Sequence, residues 1–161
     1  MAPKQLYPSG DFPAPGLFRR VASAFYDMLL CLALLMVLTL VYQQGVLRSI
    51  YGSEALEAMS HAGGLDHDPV LSILMVLVIY SFFTWFWSRS GQTLGMQAWR
   101  LRVQQADGSH ITKRQAAIRV SVSCVGWLCA GLGTWWTLWD KQSRSWADIA
   151  SGTCTVVLPK R

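Results

Sequence analysis

Between Val21 and Tyr42 the chain carries a single charged side chain, Asp27, in a run that is otherwise apolar or small. A helix of about 20 such residues crosses the ~30 Å hydrocarbon core of a bilayer, and a carboxyl inside it needs a partner, a water-filled path or a proton. Two further uncharged runs, Val70 to Ser88 and Val120 to Trp139, have comparable reach. The sequence therefore reads as a small multi-pass membrane protein. A cleaved signal peptide is rejected for the first run: apolar cores of signals usually span about 7 to 15 residues, whereas this run is longer, holds Asp27 and ends in Tyr42-Gln43-Gln44.

Composition excludes a typical soluble enzyme on an anchor, since 52% of residues are hydrophobic, 14% are charged and eight are Trp. The net charge of +5 follows a topology. Lys4, Arg19 and Arg20 outnumber Asp11 before the first run, and Arg89, Arg100, Arg102, Lys113 and Arg114 outnumber Asp107 in the second loop. The first loop holds Arg48 against Glu54, Glu57, Asp66 and Asp68. The positive-inside rule then places the N-terminus and second loop in the cytoplasm and the first loop outside. The lipid bilayer is the expected partner of these basic residues, and no nucleic-acid motif accompanies them. Cys31, Cys124, Cys129 and Cys154 have no C-x-x-C or zinc-ligand spacing, so they read as small apolar residues without a disulfide framework.

Residues 1–16, with Pro3, Pro8, Pro13, Pro15 and Gly10, form an irregular cytoplasmic arm, and residues 17–158 form one membrane domain. The outer loop from Gln44 to Pro69 has a short helix at Ser53 to Met59, capped by Ser53 and ended by Gly63-Gly64. The second span closes in an aromatic belt of Phe82, Phe83, Trp85, Phe86 and Trp87. Gly91-Gln92-Thr93-Leu94-Gly95 then leads into an interfacial helix at Met96 to Trp99, and Leu101 to Gln104 alternates as a strand. Asp107-Gly108 is a turn that doubles the strand back through Ser109-His110-Ile111. Thr112 and Gln115 have capping-box spacing, and Thr153 to Leu158 is a second β-type run able to pair with Leu101 to Gln104.

The third apolar run sets two topologies against each other. A straight span would put Lys141, Arg144, Lys160 and Arg161 outside, against the charge rule, whereas a break at Gly126, Gly131 and Gly133 would return the chain to the cytoplasm. The favoured fold class is an all-α membrane protein with two full transmembrane helices (21–42 and 70–88), a re-entrant broken hairpin at 120–139, and a small cytoplasmic interfacial-helix and β-hairpin cap. A single third span is the alternative.

Arg20 and Asp27 share a helix face about 10.5 Å apart along the axis. Arg20 can snorkel to the headgroups, which leaves Asp27 in need of Arg119, Tyr80, Ser81 or Thr84 as partner. Asp27 is then either a group that exchanges a proton or polar glue worth roughly 0.6 kcal/mol. Ser145-x-x-Asp148 fits a capping box, and the same interface lets Arg20 fork onto Asp148. His61, Asp66, His67 and Asp68 match no standard ligand spacing, so a solvated loop and no metal are expected. Trp135, Trp136, Trp139 and Trp146 read as interface anchors. No phosphate loop, paired catalytic carboxylates or activated nucleophile is present, so neither an enzyme nor a cofactor is expected.

Four ordered motifs resemble the RDD family of bacterial membrane proteins. They are Arg20-Val21-Ala22-Ser23-Ala24-Phe25-Tyr26-Asp27; Gly91 to Val103 with Asp107-Gly108; Leu138-Trp139-Asp140; and Asp148-Ile149-Ala150-Ser151-Gly152-Thr153. The resemblance implies that Arg20 and Asp27 are the family's first pair and Asp148 its second aspartate. It also implies a cap-and-turn motif of Gly91, Thr93, Gly95, Asp107, Gly108, Gly152 and Thr153. Many members have His before the second aspartate and Arg after it; Ala147 and Ile149 stand there in this chain, which counts against a His-assisted proton relay. Family resemblance implies residence in the bacterial inner membrane and a transport role, with a proton and a monovalent cation as exchanged species in some members.

Two function classes follow. In one, Arg20, Asp27, Arg119 and Asp148 form an ion- or proton-binding cluster of a cation or small-solute transporter. Two spans and a hairpin enclose no path alone, so that reading needs a homo-oligomer or a partner membrane subunit. In the other, the same residues are structural and the protein is a membrane scaffold or assembly subunit.

Overall fold

The computed structural model describes residues 6–8, 10–63 and 68–160. Its helices are α1 (Leu17–Leu40), α2 (Arg48–Tyr51), α3 (Ser53–His61), α4 (Pro69–Ser90), α5 (Leu94–Ala98), α6 (Lys113–Leu128), α7 (Leu132–Trp135) and α8 (Trp146–Ser151). A π-helical stretch, Val41–Leu47, joins α1 to α2, and the strands are β1 (Leu101–Gln104) and β2 (Cys154–Val157). Two continuous helices, Leu17–Tyr51 and Pro69–Ser90, are long and apolar enough to cross a membrane. The chain forms two compact units, residues 29–79 and residues 1–28 with 80–161.

The unit of residues 29–79 gathers Tyr42, Leu47, Leu56 and Leu71 into a core. Gln43-Gln44 does not end the first helix as the sequence implies. Leaving the hydrocarbon does not require leaving the helix, and the first break is Gly52, at φ +81°. Gly52, not Ser53, is the residue before α3, and it supplies no side-chain cap. Asp68 accepts from the backbone N–H groups of Val70 and Leu71 at 2.8 and 3.1 Å and from the Tyr42 hydroxyl at 2.9 Å. His61 lies 3.9 Å from Glu57 on the exposed side of α3, while Asp66 and His67 lie outside the described residues.

The other unit is built around Trp87, Met96, Leu101, Val103, Ile111, Ala116 and Val120. β1 and β2 pair antiparallel, with Leu101 opposite Val157 and Gln104 opposite Cys154. The return through Ser109-His110-Ile111 is not a strand. Asp107-Gly108 makes the turn, the Gln105 N–H donates to the Ser109 carbonyl at 3.0 Å, and Ile111 enters the core. All four residues of β1 are buried instead of alternating, because the N-terminal arm covers the second face. Leu6 is buried, the Val157 N–H donates to the Pro13 carbonyl at 2.9 Å, and Arg102 donates to the Pro8 carbonyl at 2.9 Å.

Between the strands the third apolar run is broken. α6 starts in the expected capping box of Thr112 and Gln115, and a 107° bend separates it from the stretch Leu132–Leu138. Ala130 and Gly131, both at positive φ, make the corner. A segment whose flanks are hydrogen-bonded into one sheet has not crossed a bilayer an odd number of times, so this run turns back. The two arms meet through glycine: a Cβ on Gly133 would stand 2.9 Å from the Gly126 Cα and 3.3 Å from the Trp146 ring. Trp146 thus packs inside the bend rather than acting only as an interface anchor, whereas Trp135, Trp136 and Trp139 are exposed.

Candidate functional site

Ser145 and Asp148 open α8 with a capping box. The Asp148 carboxylate accepts from the Ser145 N–H and hydroxyl, each at 2.9 Å, and the Asp148 N–H donates back to the Ser145 Oγ at 3.2 Å. Gly152, at φ +62°, ends the helix after six residues, and the Thr153 N–H donates to the Asp148 carbonyl at 3.1 Å. This tight helix leads directly into β2, which brings Thr153 and Thr155 beside the carboxylate.

Two arginines from distant elements meet there. Arg20, in the first turn of α1, donates from Nη1 to Asp148 Oδ2 at 2.9 Å and from Nη2 to the Ser143 carbonyl at 2.9 Å. Arg119, in the second turn of α6, donates from Nη1 to Asp148 Oδ1 at 2.7 Å and to Thr153 Oγ1, and from Nη2 to Thr155 Oγ1 at 3.2 Å. The Thr155 hydroxyl donates to the same Oδ1 at 2.8 Å, and the Arg119 guanidinium lies 5.3 Å from the centre of the Trp87 ring. Asp148 is 1% exposed and therefore meets no bulk water. Burial by itself would raise its carboxyl, but the guanidinium groups of Arg119 and Arg20 and the Ser145 N–H outweigh burial and hold it far below the usual carboxylate range. Five donors fill the roughly four lone-pair sites of a carboxylate, so Asp148 has no capacity for a further cation.

The carbonyl that Arg20 uses is aimed by a second charged pair. Ser143 is at positive φ, and Asp140 holds its loop by accepting from the Gln142 and Arg144 N–H groups at 3.1 and 2.9 Å. Arg144 also donates from Nη2 to Asp140 Oδ1 at 3.0 Å. These side-chain and backbone hydrogen bonds bring the Asp140 carboxyl down to about 2.

Asp27 lies apart from this cluster and serves a different element. Its Oδ2 accepts from the Thr93 hydroxyl and its Oδ1 from the Gly95 N–H at 2.9 Å. Thr93 is itself the N-cap of α5, accepting from the Met96 N–H at 3.3 Å. The carboxyl of α1 thereby completes the cap of α5 across the helix contact. The expected partners are not used. Arg119 is spent on Asp148, the Tyr80 hydroxyl donates to the Ala117 carbonyl at 3.2 Å, the Thr84 hydroxyl is buried with no partner among the described residues, and Ser81 makes no bond to Asp27 among them. Arg20 does not snorkel to headgroups either, since the internal carboxylate is within its reach. Among the described residues each oxygen of Asp27 receives one donor, so this group keeps acceptor capacity that Asp148 lacks.

A family model described as the RDD family matches residues 14–152. The chain belongs to the RDD family. Comparison with curated proteins and with solved structures gave no match.

Arg20, Asp27 and Asp148 thus form two fastenings rather than one site. Gly95 is required by the first, since a Cβ there would lie 2.5 Å from the Ser23 carbonyl oxygen and 2.8 Å from the Asp27 carboxylate. Gly91, at φ +72°, accepts the Val103 N–H at 2.7 Å on the free edge of β1. Asp107 closes the Gly108 turn by accepting from the Ser109 N–H and hydroxyl at 3.0 and 2.6 Å. Sequence reasoning overlooked Thr155, Ser143 and Arg144. The alternation of Thr153 and Thr155 around one strand position was the signal for the first; the others depend on loop geometry that no local pattern announces.

Proposed function

We infer that this RDD protein is a non-enzymatic scaffold or assembly subunit of the bacterial inner membrane, with its N-terminus in the cytoplasm. The observation that carries the reading is the saturation of Asp148: all five donors come from its own chain, and the arrangement ties α1, α6, α8 and β2 together. Charges consumed in this way hold a polar cap on membrane helices and leave no group there to release. The excess of Lys and Arg in residues 1–20 and 89–115 supports the cytoplasmic placement. Partner membrane subunits or further copies of the chain would then dock on the lipid-facing helices.

Proton-coupled cation or solute transport is the second reading, favoured by the spare acceptor capacity of Asp27. It assigns the chemistry to Asp27 alone and requires an oligomer to enclose a path. Flux in proteoliposomes separates the two. On the scaffold reading, vesicles with wild type dissipate an imposed proton gradient at the rate of vesicles with Asp27→Asn, with or without sodium or potassium. A cation-dependent flux that Asp27→Asn abolishes would replace the scaffold reading with transport.

A further inference from the structure

Tyr80 stands midway along α4, one of the two helices long and apolar enough to cross a membrane. Its hydroxyl donates to the Ala117 carbonyl at 3.2 Å and lies 3.5 Å from the Ser121 hydroxyl, so the middle of α6 runs beside the middle of a span. Each half of the hydrocarbon core is ~15 Å thick, and the helical rise from Ser121 to Leu128 is only about 10.5 Å. The corner from Cys129 to Gly131 therefore turns within the hydrocarbon, short of either face.

That corner carries two kinds of surface with opposite requirements. Leu128 is 87% exposed and Trp127 53%, and Leu132 and Trp135 stand exposed across the turn. Side chains of this kind disfavour water as a cover. Backbone groups at the same place disfavour hydrocarbon. The Val125 carbonyl accepts the Cys129 N–H at 3.0 Å, but among the described residues the Trp127 and Leu128 carbonyls accept no backbone N–H and the exposed Ala130 donates its N–H to no group. The indole N–H groups of Trp127 and Trp135 also have no partner among the described residues, and that of Trp135 lies at the corner, 3.2 Å from where a Cβ on Gly131 would stand. Open backbone groups are tolerated at membrane depth only where protein or a water-filled cavity receives them. The cavity inside the bend, of about 30 Å³, is walled by Val122, Gly126, Gly133 and Trp146 and does not reach these groups.

We propose that this corner is a contact between two copies of the chain related by a two-fold axis. A second copy is selected over a foreign partner because the corner holds both halves of the hydrogen bonds it lacks. Across a two-fold axis the Trp127 and Leu128 carbonyls of one copy meet the Ala130 and indole N–H groups of the other, and the leucines pack around them. Cys129, Ala130 and Gly131 are small, which lets two backbones approach closely. The contact does not depend on whether the protein is a scaffold or a transporter, since the corner lies at the same depth in either.

Cys129, exposed at the corner, is the reporter. A chain with Cys31, Cys124 and Cys154 replaced by Ala is oxidised with copper phenanthroline in proteoliposomes at high lipid dilution. Its control is a chain whose single cysteine is Leu32→Cys, on the exposed side of α1. Disulfide dimers are expected at least about tenfold faster through Cys129 than through the control, because a standing contact raises the effective concentration far above that of chance collision. Leu128→Arg and Trp127→Ala should each bring the Cys129 rate down to the control rate, and the second retains the test if the first fails to insert. Equal rates at the two positions, a Cys129 rate that Trp127→Ala leaves undiminished, or cross-linking of Cys129 in native membranes to a different protein instead of to itself overturns the proposal.

Discussion

Asp148 shows how a lone carboxylate organises two cations. Removing it leaves the Arg20 and Arg119 guanidinium groups buried together without a counter-charge, a loss typically of about 3–5 kcal/mol. Asp148→Ala is therefore expected to lower unfolding stability by that order in nanodiscs. Arg20→Ala in the same background should add little, because the interaction it would remove is already gone. Fully additive losses in that cycle would separate the two residues. The acid response follows from the depressed carboxyl. A group held below its unfolded value of about 3.9 contributes its full stability above that pH and loses it as pH falls through the folded value. The melting temperature of the wild type should thus stay level from neutrality to about pH 5, and the Asp148 contribution should vanish only well below pH 4; a drop between pH 7 and 5 that Asp148→Asn abolishes would contradict this. The capping box and the Arg20 contact were legible from spacing and from the shared interface. Arg119 was misdirected toward Asp27, because proximity in an apolar run said nothing of a carboxylate delivered 29 residues later by α8.

Elements meet here through missing side chains. α5 approaches α1 so closely that Gly95 has no space for a methyl, and α6 meets the stretch after the bend at Gly126 and Gly133 with similar closeness. Overpacking of this kind usually costs about 1–3 kcal/mol. Gly95→Ala and Gly133→Ala are each expected to reduce the melting temperature and the monodisperse yield in detergent, whereas Gly16→Ala, with open space around its Cα, should not. Unchanged melting of Gly95→Ala would mean that the α1–α5 contact is looser than described. The spans, the capping boxes and the glycine-broken run could be read from periodicity and breakers. The burial of β1 on both faces could not, because it depends on an arm rich in proline that has no period of its own.

At the scale of the whole chain, the sheet fixes a sidedness. β1 precedes the bent run and β2 follows it, and the Val157 N–H bonds to Pro13 before the first span, so arm, sheet and α8 occupy one side of the bilayer. Cysteines introduced at Asp11 and Lys160 should react with an impermeant maleimide only after the cytoplasmic face is opened, while one at Gly52 should react in intact cells. Labelling of Lys160→Cys from outside would defeat the re-entrant arrangement and the strand pairing together. The charge asymmetry favoured a common side for arm and tail, and the long-range hydrogen bonds between strands and arm are what speak against a straight third span. The same clasp imposes an order on biogenesis. Arg20 leaves the ribosome 128 residues before the carboxylate that will neutralise it, and β1 waits some fifty residues for the strand it pairs with. During that interval the nascent chain presents an unmatched arginine and a bare strand edge at the membrane surface, a form that a chaperone or a quality-control protease can distinguish from the finished protein.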